Sequence, residues 1–112
     1  MKQVIIVRKN IKMTTGKAIS QACHGCLGAC IVAGGPRLKA WDEQGTPKIV
    51  LRCDSSAEMV AMERAATEMG LPTSLVRDAG RTQVEADTIT VLVIGPGIES
   101  EIDSITRHLK LL

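Results

Sequence analysis

Apolar positions along the chain fall into short continuous runs and longer periodic stripes. Val4 to Val7 is an unbroken apolar run of strand length, and with Gln3 it predicts a first strand buried on both faces, hence central in its sheet. From about Thr15 to Val32 the apolar residues recur at helical spacing. Thr14 or Thr15 is suited to cap that helix, and Gly34-Gly35-Pro36 to end it. Arg37 to Glu43, carrying Trp41, predicts a short second helix, and Gly45-Thr46-Pro47 a turn before a strand over Lys48 to Cys53. Ser55-Ser56-Ala57-Glu58 has capping-box spacing and opens a helix to about Met69, with Gly70, Leu71 and Pro72 as its stop. Thr73 to Arg77 and Thr88 to Ile94 read as two further strands, joined by the polar loop Asp78-Ala79-Gly80-Arg81-Thr82-Gln83. Gly95-Pro96-Gly97 is expected to break the last strand. Ile98, Ile102, Ile105 and Leu109 mark the buried face of a final helix.

Helices alternating with strands predict a layered α/β domain. Helical crossovers make the first three strands parallel. The link from the third to the fourth strand is short and carries no helical pattern, so that pair is free to run antiparallel, and the sheet is expected to be mixed. At 112 residues, 45% of them apolar, the chain is expected to form one domain over 1–112. No run approaches the ~18 apolar residues of a membrane span, and Val4 to Val7 is too short for a signal-peptide core. A soluble cytoplasmic protein, away from membranes, is the expectation.

Charge changes the picture more than composition does. The net charge is only +2, but residues 1–41 hold seven basic side chains and no acid. The remainder holds seven basic and twelve acidic ones. Such asymmetry points to an anionic partner for the basic part. With one Trp and no Phe or Tyr, the chain lacks rings on which bases stack. A nucleic acid would have to be held through its phosphates and shape.

On a helical wheel, Lys17, Gln21 and His24 share one stripe of the first helix, continued by Gly28, while Ile19, Cys23, Cys26 and Cys30 lie opposite. The expected orientation is therefore a cysteine-lined apolar face turned to the core and a polar face turned outward. Cys23-x-x-Cys26 with His24 between them invites a metal or redox reading, but the imidazole points away from the thiols, so buried thiols and no metal are expected. Lys17 sits in the first turn, where the dipole and free N–H groups favour an anion over a cation.

Parallel strands bring their C-terminal ends to one edge of the sheet, where α/β proteins place their sites. The first strand delivers Lys12 to Gln21 to that edge and the third delivers Asp78 to Gln83. Lys17, Gln21, Asp78 and Thr82 can therefore converge, giving a lysine, a carboxylate, a hydroxyl and a helix N-terminus suited to activating water and stabilising an oxyanion. Gly16-Lys17 lacks the P-loop frame, Gly95-Pro96-Gly97 lacks a third dinucleotide-binding glycine, and no Ser sits in a nucleophile elbow. A non-catalytic RNA- or phosphate-binding module built on the same basic edge remains an alternative, as does a thiol-based metal or redox protein.

Lys12-Met13 leading to Gly16-Lys17, Gln21 and His24 resembles the first motif of the type 2 peptidyl-tRNA hydrolases of archaea and eukaryotes. Asp78-Ala79-Gly80-Arg81-Thr82-Gln83 resembles their second motif, and Thr90 to Pro96 and His108-Leu109-Lys110-Leu111 resemble the rest. The resemblance covers nearly the whole chain with the motifs in order. It implies a three-layer α/β/α sandwich on a mixed, mainly parallel four-stranded sheet. It also implies a homodimer that hydrolyses the ester between a peptide and the 3′ end of tRNA, with no cofactor. Carried over by position, Lys17, Asp78 and Thr82 are the catalytic group. Gln21 and His24 line the same site, with His24 an alternative general base. Arg8, Lys9, Lys12 and Arg81 are expected to bind the substrate. Thr14-Thr15 departs from the family's common Gly-Lys, removing one basic side chain at the mouth, and Gly25-Cys26 replaces small alanines.

Overall fold

The computed structural model describes residues 1–79 and 87–112. Strand β1 (Lys2–Arg8) leads to helix α1 (Thr15–Ala33), helix α2 (Gly35–Glu43) and strand β2 (Lys48–Cys53). Helix α3 (Ser56–Glu68), strands β3 (Thr73–Arg77) and β4 (Ile89–Gly97), helix α4 (Glu99–Thr106) and strand β5 (Lys110–Leu111) follow. One mixed sheet runs in the order β3-β4-β1-β2-β5. β1 pairs parallel with β2, Val4 opposite Ile49 and Ile6 opposite Leu51. β4 is antiparallel to both its neighbours, β1 and β3. The first three strands thus run the same way, as their helical crossovers require, but β4 is inserted between β1 and β3.

The sheet has five strands where four were expected. β5 is two exposed residues on the edge of β2, too short to leave a periodic signal. Nor does Gly95-Pro96-Gly97 break β4: the strand continues through it, fully buried. Glycine makes this possible. Gly95 has φ +105°, and a Cβ there would meet the Lys2 carbonyl oxygen at 2.5 Å. Its N–H donates to the Pro72 carbonyl at 2.9 Å.

Two apolar layers sandwich the sheet. On one side Val4, Ile6, Leu51, Leu92 and Ile94 pack with Met59, Met62 and Ala66 of α3 and Ile102 of α4. Ile98 does not join them. It precedes α4 and is exposed, while Leu109 reaches the core from beyond the helix. Ser55 caps α3 by accepting from the Glu58 N–H at 3.1 Å, as the capping-box spacing predicts. On the other side Ile5, Val7, Val91 and Val93 pack against Ala18, Ala22 and Ala29 of α1.

Here α1 is oriented opposite to expectation. Its buried positions are Gln21, Gly25 and Ala29, whereas Ile19, Leu27, Ile31 and Val32 are exposed. Cys23 is exposed and Cys26 and Cys30 are only half-buried; Cys53 alone of the four thiols is buried. The cause is the closeness of helix to sheet. A Cβ at Gly25 would stand 2.6 Å from Val93 Cγ2, so at the point of closest approach no larger side chain fits. The large apolar residues are turned outward. α1 lies over β4 and β3 and leaves the same face of β2 uncovered. An open groove of about 910 Å³ results, floored by Ile5, Val7 and Val50 and walled by Met13, Cys26 and Trp41.

Candidate active site

Thr14 starts α1: its hydroxyl accepts the Lys17 N–H at 3.2 Å, meeting one of the helix's unpaired donors. That cap fixes the first turn at the C-terminal edge of the sheet, beside the end of β3. There the Lys17 ammonium donates to Asp78 Oδ1. The side chains are only 11% and 3% exposed, so the ion pair is almost dry. In such surroundings a charge pair interacts strongly, and removing the carboxylate strands the ammonium.

Asp78 is held through its backbone as well. Its N–H donates to the Thr88 carbonyl at 2.9 Å, and its carbonyl accepts from the Asp87 N–H at 2.7 Å. Arg77 adds a hydrogen bond to the Asp87 carbonyl at 3.3 Å. Both ends of the segment joining β3 to β4 are thereby clamped. Arg81 and Thr82 belong to that segment and lie outside the described residues.

One turn after Lys17, Gln21 is buried and its amide Nε2 donates to Thr90 Oγ1 at 2.7 Å. The Thr90 hydroxyl donates onward to the Val76 carbonyl at 3.3 Å. This chain of bonds ties α1 to β4 and to β3 two residues before Asp78. The structure thus brings together Lys17, Gln21 and Asp78. His24 stands apart, exposed and about 10 Å further along the helix axis than Lys17. Lys9 and Lys12 are exposed near the same edge. Arg8 is more committed: it donates to Asn10 Oδ1 at 2.8 Å and to the Ile89 carbonyl at 3.2 Å, bracing the start of β4.

Thr90 is the residue that sequence reasoning missed as part of the site. Its signal was available: one hydroxyl inside the otherwise apolar run Ile89 to Ile94 must find a partner once buried. Gln3 is the parallel case in β1. Its amide donates to the Gly95 carbonyl at 3.2 Å and the Cys26 carbonyl at 3.4 Å, joining sheet to helix.

The thiols do not form a second centre. Burial pushes the Cys26 thiol above its ordinary value, with the Lys48 ammonium opposing in part. Burial likewise raises Cys53, against a hydrogen bond to the Ser55 backbone. Both are thereby made poorer nucleophiles at neutral pH. Among the described residues no group of three His, Cys, Asp or Glu is placed to hold a metal ion. No helix of the described residues is long and apolar enough to cross a membrane.

A buried lysine–carboxylate pair at a helix N-terminus, on the C-terminal edge of an α/β sheet, defines a candidate site for attack by water on a polar ester or amide. The comparisons with known proteins agree with that class. The family described as peptidyl-tRNA hydrolase PTH2 matches residues 1–112, and the chain belongs to it. It is 45% identical to the peptidyl-tRNA hydrolase of Methanothermobacter thermautotrophicus over 112 residues, all of both chains. It is 46% identical to the probable peptidyl-tRNA hydrolase 2 of Drosophila melanogaster, covering 99% of this chain but 61% of that protein. A peptidyl-tRNA hydrolase of Methanopyrus kandleri is 43% identical over 113 residues, 99% of this chain and 97% of the relative.

Proposed function

We propose that this chain hydrolyses the ester joining a peptide to the 3′ end of tRNA, with Lys17, Asp78 and Thr82 as its catalytic group. The observation that carries the site is the Lys17–Asp78 pair beside the N-terminus of α1. Asp78 orients a water molecule and accepts its proton as the oxygen attacks the ester carbonyl. Lys17 and the free N–H groups of the first helical turn stabilise the oxyanion that forms. Collapse of that intermediate breaks the bond to the ribose 3′ oxygen, which takes up the proton. The products are a free peptide and a tRNA with its 3′ hydroxyl restored.

Lys17 and Asp78 pair with each other in the structure. Substrate draws the lysine toward the ester carbonyl, and the carboxylate takes the proton of the attacking water. Thr82 positions water or ester by hydrogen bonding. Gln21 braces the site from α1, and His24 lies at its outer margin. Lys9, Lys12, Arg8 and Arg81 attract the tRNA backbone without reading its sequence, as suits an enzyme that accepts every tRNA. A binding module without catalysis has no use for a carboxylate beside bound phosphate, and Asp78 speaks against it.

The enzyme acts as one domain, in the cytoplasm where translation proceeds, and as a homodimer. Support for the dimer comes from α1, where Ile19, Cys23, Leu27 and Ile31 recur every fourth residue as an exposed ridge beside the open groove. Ridges of this spacing interdigitate with their own copies across a two-fold axis. The experiment that tests the activity is turnover of a purified peptidyl-tRNA, followed as release of deacylated tRNA. No release by folded wild-type protein sinks the proposal.

A further inference from the structure

Arg52 and Lys110 stand directly opposite each other across the antiparallel pair of β2 and β5, and both are exposed. Like charges placed so are destabilising unless an anion lies between them. The register puts Arg52 beside Val7 of β1, on the face that carries α1. Lys9 follows two residues after Val7 on that face, and its N–H donates to the Cys53 carbonyl at 2.9 Å. Three cations, two of them from the half of the chain that is acidic overall, thus gather at the C-terminal edge of the sheet. Arg52 and Lys110 line a shallow pocket together with Asp54, Glu58 and His108, while Lys9 lies on the side of the larger groove. Glu58 is taken up by His108 at 2.5 Å and by the Cys53 thiol at 3.7 Å, and among the described residues neither carboxylate forms an ion pair with Arg52 or Lys110.

β5 gives no reason of its own for this arrangement. Its residues and the following Leu112 are exposed, and its pairing with β2 sets Leu111 against Leu51 and Lys110 against Arg52. Across the strand order, β5 lies four strand spacings from β3, the strand that presents Asp78. That is about 19 Å along the sheet edge. A polyanion that enters at Lys17 and runs past Lys12 and Lys9 arrives at Arg52 and Lys110.

We propose that Arg52 and Lys110, with Lys9, form a distal phosphate-binding subsite that holds the tRNA backbone well away from the scissile ester. The proposal rests on the reading of Lys17–Asp78 as the place where the ester binds. The subsite carries no chemistry. It adds affinity for the body of the tRNA, and its cations repel each other until phosphate fills it.

The test compares wild type with the double variant Arg52→Gln/Lys110→Gln on two substrates. One is full-length peptidyl-tRNA; the other is the same peptidyl ester on a 3′-terminal adenosine alone, which is too short to reach the subsite. The subsite predicts a several-fold rise in KM for the full-length substrate at unchanged kcat, and no change for the short one. The salt dependence of tRNA binding should become shallower by about 1.5 in log–log slope, the loss of two phosphate contacts. The free variant should melt at the same temperature as wild type or higher, because a like-charge pair has been removed. Unchanged KM and unchanged salt slope overturn the proposal, and so does an equal loss on both substrates. If wild type turns over neither substrate, the catalytic reading fails. The salt slope of tRNA binding still decides the subsite.

Discussion

Gln21 and Thr90, one on α1 and the other on the interior strand β4, share a buried hydrogen bond of 2.7 Å that joins the two halves of the candidate site. Lys17 lies one turn before Gln21, and the Thr90 hydroxyl passes the link on to Val76, two residues before Asp78. The bond therefore governs how α1 and β3 present the lysine and the carboxylate to each other. Thr90→Val keeps the shape and removes the acceptor, leaving a buried amide N–H unpaired. A loss of about 1–3 kcal/mol in unfolding free energy is expected from that penalty. kcat should fall with it in the folded enzyme, because the ion pair loses its alignment. Thr90→Ser should restore both. Denaturant unfolding and steady-state kinetics on the three proteins check this, and full activity in a folded Thr90→Val would separate the bond from the chemistry.

Asp78→Asn should lower turnover at least ~100-fold, the usual scale for loss of an acid–base group. The structure adds a cost in stability. Lys17 is nearly dry against Asp78, so neutralising the carboxylate strands a buried ammonium, a change typically worth about 3–5 kcal/mol. Lys17→Ala removes the cation that faces this carboxylate, and should depress kcat at saturating substrate rather than only raising KM. The double variant Lys17→Ala/Asp78→Asn should be more stable than Asp78→Asn alone, since no buried ammonium is left without its carboxylate. Thermal melts of the four proteins, with rates normalised to the folded fraction, read both effects. Additive stability losses would show that the pair is not coupled.

How much of this was legible in the sequence follows from the range over which each feature is decided. The alternation of strands and helices was readable, because apolar runs, caps and glycine stops are local: Thr14 caps α1 and Ser55 caps α3 where their spacing says they should. The meeting of Lys17 with Asp78 was readable too, since parallel strands must present their C-terminal ends on one edge. The orientation of α1 was not. A wheel ranks faces by hydrophobicity, whereas the face that enters the core here was chosen by size, Gly25 fitting against Val93 where no Cβ can. β5 and the passage of β4 through Gly95 depend on partners distant in the chain, and no local pattern encodes them.

The thiols offer a direct check on that orientation. Alkylation with a small thiol reagent at neutral pH should modify Cys23 first and Cys53 last, because Cys23 is exposed and Cys53 is buried. Cys26 and Cys53 both have pKa values raised by burial, so their thiolates form at higher pH than that of an ordinary thiol, and their labelling should gain more from a rise in pH. Mass spectrometry of the labelled peptides gives the order. Rapid labelling of Cys53 ahead of Cys23 would contradict the placement of α1.

The exposed ridge of α1 makes the last prediction. Ile19, Leu27 and Ile31 are 59%, 62% and 72% exposed, yet with the exposed Cys23 they form a row at four-residue spacing beside an apolar groove. A lone helix gains nothing by displaying such a row to water, and a row of this length is the kind of surface that marks an interface between proteins. Leu27→Glu with Ile31→Glu should leave the fold of the protomer unchanged, because neither side chain enters the core. In a dimer the same change would bury four carboxylates near the two-fold axis, and the one lysine of α1, Lys17, is already taken up by Asp78. Sedimentation equilibrium should therefore show wild type at twice the protomer mass and the double variant at the protomer mass, with matching far-ultraviolet circular dichroism. The Lys17–Asp78 pair lies at the far end of α1 from Ile31, so the monomeric variant should keep kcat within a few-fold of wild type. A wild type that sediments as a monomer, or a variant that stays dimeric, would remove the ridge as the dimer contact. A monomer that has lost all turnover would instead mean that the second copy helps to complete the catalytic edge.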